Sequence, residues 1–146
     1  MKINNKLLRE KSSIRLYLSN NLTYTSNAFR KLNLSKSTSK GSNLTLYDGG
    51  VKIGSGITHV LVSGQVYFMT GSNHTDGKLC DIYKNSSSYS TAHVREAYNY
   101  IHVPNTTIIP VSEGDVIYLY AKNDTSANQT VIGGGSGNTF LNVIEI

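Results

Sequence analysis

The stretch Ser112–Asn123, SEGDVIYLYAKN, reads as a turn followed at once by a strand. Glu113-Gly114-Asp115 supplies the turn residues. Side chains alternate across a strand, so Ile117, Leu119 and Ala121 share one face, and Val116, Tyr118 and Tyr120 share the other. The first face belongs in a core. The second is aromatic rather than polar, so it also needs something to pack against.

The same reading extends outward. In HVLVSGQVYFM (59–69), Val60, Val62, Gly64, Val66 and Phe68 share one face, and Leu61, Ser63, Gln65, Tyr67 and Met69 the other. A glycine in mid-strand, Gly64, marks a bulge or a close backbone approach. Ile14–Leu18 alternates, as do Leu44–Leu46 and Val51–Ile53 on either side of Asp48-Gly49, a hairpin signal. Strand-like runs follow at Leu79–Lys84, Tyr89–Val94, Tyr98–Val103 (ended by Pro104) and Thr106–Val111, with NTFLNVIEI at the C-terminus. The apolar spacing of residues 1–16 suits a short helix, and SKSTSKGS (35–42) reads as a polar turn. About eight to ten short antiparallel strands at even spacing predict an all-β sandwich.

Composition agrees. The chain has 146 residues, enough for one domain, with 10 Tyr, 13 Gly, 2 Pro and no Trp. Its one cysteine, Cys80, excludes an intrachain disulfide and reads as a small core residue. Net charge is +5, unevenly spread: residues 1–40 hold nine basic residues against Glu10, while residues 41–146 hold five basic and eight acidic ones. This divides the chain into a basic arm (1–40), with Lys2, Lys6, Arg9, Lys11 and Arg15 as anchoring residues, and a body (41–146). Binding of nucleic acid by the arm is not expected. No secretory signal and no apolar run of membrane-spanning length is visible, so membrane insertion is not expected.

No catalytic set assembles from the sequence. The four histidines (59, 74, 93 and 102) are scattered, and His74 with Asp76 supplies only two of the three or four ligands a metal site needs. The runs GSG (54–56) and GGGSG (133–137) lack the Lys-Ser/Thr of a phosphate loop. A non-enzyme without cofactor or metal is expected. A binding surface remains: Tyr89, His93, Arg95, Tyr98, Tyr100 and His102 lie in a segment dense in Tyr, Asn and Ser. Aromatic rings among amide and hydroxyl groups suit stacking on sugars, and the competing reading is of half-buried sheet residues.

Three places, taken in order, carry a resemblance: VSGQVYF (62–68), TTIIPVSEGDVIYLYAKN (106–123) and GGGSGNTFLNVIEI (133–146). Together they resemble the jelly-roll domains of the tumour necrosis factor and complement globular-head superfamily. More narrowly they resemble small domains of this type in structural proteins of bacteriophages of Gram-positive hosts, where runs like LTLYDGGVKIGSGITHVLVSGQVYF and IYKNSSS recur. The resemblance implies a jelly-roll homotrimer whose inner aromatic residues pack around the three-fold axis, with Tyr118, Tyr120 and Phe140 as interface candidates. It further implies a virion protein, such as a head fibre, decoration protein or tail or baseplate tip module. Such a protein would bind other virion proteins through its arm and a host-surface glycan through its body. The alternative is a bacterial or prophage-encoded carbohydrate-binding or adhesion module.

Overall fold

Asp48 and Gly49 both take positive φ, 48° and 75°, which is the two-residue turn that a right-twisted hairpin requires. The Asp-Gly signal therefore closes a hairpin where the sequence places one. The computed structural model describes residues 10–24, 27–69, 77–95, 99–124 and 129–146. Among these residues there are thirteen strands and no helix. In chain order they are β1 (Ser13–Tyr17), β2 (Leu22–Tyr24), β3 (Arg30–Lys31), β4 (Lys36–Lys40), β5 (Leu44–Tyr47), β6 (Gly50–Ile53), β7 (His59–Met69), β8 (Gly77–Lys84), β9 (Ser87–Arg95), β10 (Tyr100–Pro110), β11 (Val116–Asn123), β12 (Gln129–Val131) and β13 (Phe140–Glu145).

Two antiparallel sheets face each other. Sheet A runs β2-β12-β7-β13-β1-β4, with β10 on the other side of β7. Sheet B runs β5-β6-β11-β8-β9, with β3 also paired to β11. This is a jelly-roll sandwich. The inward residues of both sheets, among them Leu16, Val62, Phe68, Ile82, Leu119 and Leu141, are fully buried in one core. Gly64 is neither bulged nor free: a Cβ there would stand 2.7 Å from the Leu119 methyl of the opposite sheet. Its missing side chain lets the two layers close.

Three expectations change. The runs split at Pro104 are one strand, β10, paired with β7 over its full length. Proline is tolerated because β10 pairs on one side only. The polar run Lys36–Lys40 is an edge strand, exposed throughout, with a lysine at each end of the kind that blunts unwanted strand pairing. The third change concerns the arm. From Ser13 to Lys40 the basic stretch is woven into both sheets. β1 pairs with β13 and β4, β3 pairs with β11, and Leu16, Leu32 and Leu34 lie in the core. Alternating leucines outweigh the charge pattern there, because burial of apolar side chains is the larger energy. The helix expected over 1–16 lies largely outside the described residues, and its end is strand β1.

Candidate functional site

The outward face of β11 finds its partner within its own chain. Tyr118 lies over Gly50 of β6, where an added Cβ would approach its ring to 2.6 Å. The Lys31 ammonium sits 4.8 Å from the centre of the same ring. Lys31 also donates to the Asp48 carboxylate at 2.8 Å, and the Tyr118 hydroxyl reaches that carboxylate at 3.5 Å. Hydrogen bonding to Asp48 raises the Lys31 pKa, and Lys31 lowers that of Asp48. Burial, followed by the Asp48 charge, raises that of Tyr118. Tyr120 stacks on Tyr83 of β8 at 3.8 Å, and Phe29 meets Tyr83 edge-on at 6.3 Å. Lys122 stands 5.3 Å from the Phe29 ring. Tyr118 and Tyr120 are therefore packed in an aromatic and lysine layer within the chain, on the outer face of sheet B.

The outer face of sheet A is different. Register places its side chains in rows across the sheet. Ile108 of β10 stands opposite Leu61 of β7, and Leu61 opposite Ile144 of β13. Ile108 is 54% exposed, and the neighbouring Ile146 is 48% exposed. The next row is polar: Thr106, Ser63, Asn142 and Arg15. Beyond it come Gln65, Phe140 and Tyr17. The far row is aromatic. His102 stacks on Tyr67 at 3.9 Å, 12° from parallel, and Tyr100 tilts against Tyr67 at 6.0 Å. Within the apolar row Ile108 is exposed, and Leu61 and Ile144 are half-buried.

The three proposed interface residues are thus divided. Tyr118 and Tyr120 point outward from sheet B, while Phe140 points outward from sheet A, where the Arg15 guanidinium lies 3.7 Å over its ring. The sandwich stands between them, so they do not form one surface. Arg15, expected in the arm, is fixed on sheet A: its Nε donates to the Ser136 carbonyl at 2.9 Å. Lys11 is exposed, and Lys2, Lys6 and Arg9 lie outside the described residues.

The ligand candidates divide as well. Tyr100 and His102 belong to the aromatic row of sheet A. His93 and Arg95 lie at the β9 edge of sheet B. There His93 Nε2 and Arg95 Nη2 each stand 3.4 Å from the Asp124 carboxylate, above Gly77. Tyr89, 43% exposed, lies on β9, and Tyr98 is outside the described residues. Among the described residues no three His, Cys, Asp or Glu side chains converge as for a metal ion. The sequence reading missed the Leu61, Ile108 and Ile144 row. Its signal was present in HVLVSGQVYFM, whose second face also begins and ends apolar.

No family model matches this chain, and no curated protein matches its sequence. Solved structures do. Murine APRIL at pH 5.0 superposes with a TM-score of 0.67 at 13% identity, covering 94% of this chain and 100% of the other. The Eiger TNF of S. frugiperda gives 0.68 at 10% identity, covering 94% of each. The PRD1 vertex protein P5 gives 0.67 at 15% identity, covering 92% of this chain and 96% of the other. The fold is that of a TNF-like jelly roll.

Proposed function

We propose that this chain is a non-enzymatic structural protein of a bacteriophage virion. On this reading it is a homotrimeric jelly roll displayed on the particle as a head fibre, decoration or tail-tip module for host attachment. The observation that carries the reading is the apolar row Ile108–Leu61–Ile144 on the outward face of sheet A, with Ile108 exposed and the other two half-buried. A jelly roll buries its inward faces in its own core, so an apolar row on an outward face calls for a second protein surface. Further copies of the chain meet that need: in a three-fold ring the row of each copy faces the axis and packs against a different surface of its neighbour. The resemblance to TNF-type domains supports three as the number of copies. The fold shared with P5, a vertex protein of phage PRD1, supports the virion setting.

On this reading the interface is sheet A with Phe140, and Tyr118 and Tyr120, which pack within sheet B, stand outside it. The basic residues before β1, with Lys11 exposed beside them, are the proposed contact to other virion proteins. Light scattering on a size-exclusion column tests the assembly. A mass of three chains is expected, and a monomer at tens of micromolar overturns it. Co-sedimentation of the protein with purified particles of the phage that carries its gene tests the virion setting.

A further inference from the structure

A cleft of about 390 Å³ opens at the end of the sandwich where β6 leads to β7. It is lined by Ser42, Asn43, Thr45, Lys52, Glu113 and the backbone around Gly54 and Gly114. It lies on the β5–β6 side of sheet B, so covering the outer face of sheet A leaves it open. We propose that this cleft is a saccharide-binding site for a neutral, hydroxyl-rich sugar. The proposal rests on the attachment reading above and names where the sugar would sit.

Three features of the lining point to that chemistry. First, the polar groups are mixed. Two hydroxyls, an amide, one ammonium and one carboxylate offer donors and acceptors side by side, as vicinal sugar hydroxyls require. One cation and one anion leave no net charge to favour a phosphate or an amine. Second, an exposed ring borders the cleft. Tyr47 lies two residues beyond Thr45 on the same face of β5 and is 51% exposed, and Lys52 spans the gap with its ammonium 4.9 Å from the ring centre. A ring beside a polar cleft supplies the apolar contact that sugar C–H faces need. Third, the frame is built before any ligand arrives. Gly54 N donates to the Asn43 carbonyl at 2.7 Å, and the Asn43 N–H is held by Ser12 Oγ at 3.2 Å. Gly114 N donates to the Ile53 carbonyl at 2.9 Å, and Ile53 N to the Asp115 carbonyl at 2.8 Å. A fixed frame spares the ordering cost of binding. The volume falls within the usual range for small-ligand sites, about 300–1,000 Å³.

The test is a two-dimensional amide NMR titration of the full chain with methyl glucoside, methyl galactoside and N-acetylglucosamine in turn. Saturable shifts at Asn43, Thr45, Lys52, Gly54 and Gly114 with at least one sugar are expected. Glu113→Gln and Lys52→Met, both at exposed positions, should each weaken that binding at least fivefold while leaving the rest of the spectrum in place. Absence of saturable shifts with all three sugars overturns the site. So do shifts confined to Tyr67, Tyr100 and His102, which would move sugar recognition to sheet A and leave the attachment reading standing. A parallel pull-down on host cell walls separates the two ideas. Wall binding that survives both variants sinks the cleft alone, and no wall binding by the unaltered chain sinks the attachment reading.

Discussion

Gly50 is the floor on which the Tyr118 ring lies. A Cβ at Gly50 would come 2.5 Å from the Ile117 carbonyl oxygen and 2.6 Å from the Tyr118 ring, and Lys31 closes over the ring from beyond. The aromatic face of β11 is consequently an internal support of sheet B. Gly50→Ala must displace either a backbone carbonyl or the ring. Overpacking of this kind costs about 1–3 kcal/mol. Urea denaturation should show that loss, and a variant as stable as the parent would mean that Tyr118 moves aside freely.

The two outward faces should respond in opposite ways to substitution. Leu61→Asp or Ile144→Asp places a carboxylate in the row that self-association would bury. Loss of a central contact costs about 2–4 kcal/mol. Light scattering should then report a single chain. Tyr118→Ala and Tyr120→Ala should lower stability yet keep the assembled mass. The reverse pattern would return the interface to sheet B, where the sequence reading placed two of its three residues.

Cys80 is buried, and burial with the neighbouring Asp81 charge raises its pKa to about 12. The thiolate is the reactive form of cysteine. At pH 8 the folded protein should not react with a disulfide reagent over hours, and one equivalent should react at once in denaturant. Rapid reaction under native conditions would place Cys80 near the surface.

The fold was legible because its signals are local. Period-2 alternation marked β7 and β11, and Asp48-Gly49 marked the hairpin, since both follow from backbone geometry at the residues themselves. The candidate site was legible only in part. Alternation shows that Tyr118, Tyr120 and Phe140 point away from the core. It does not show that β11 and β13 belong to opposite sheets, and that pairing alone separates the three. The arm misled for a related reason. Nine basic residues in the first forty read as an anchoring arm, yet charges on outward positions are compatible with leucines at inward ones, and Leu16, Leu32 and Leu34 decide where the backbone runs. The cleft was not legible at all, because it joins residues 42–45 to residues 113–114 through the pairing of β6 with β11.

Asp81 gives the last prediction. It is fully buried on the outer side of β8, opposite Tyr120, and Ser88 Oγ donates to its two oxygens at 2.9 and 2.8 Å. Burial raises its pKa, and the hydrogen bonds from Ser88 and Thr91 only partly offset this. The sign follows from proton uptake. Between the unfolded and the folded pKa, the folded state binds more protons, so this group makes stability fall as pH rises. Its cost is complete above the folded pKa and is relieved as pH falls through that pKa toward the unfolded value, about 3.9. Asp48 and Asp115 have lowered pKa values and act in the opposite direction, so the total pH curve does not isolate Asp81. A difference does. Asn at this position cannot titrate, so the stability of the parent chain relative to Asp81→Asn should rise between pH 7 and pH 4. Urea denaturation at both pH values measures that difference, and a value unchanged with pH would show that Asp81 ionises in the folded chain as readily as in the unfolded one.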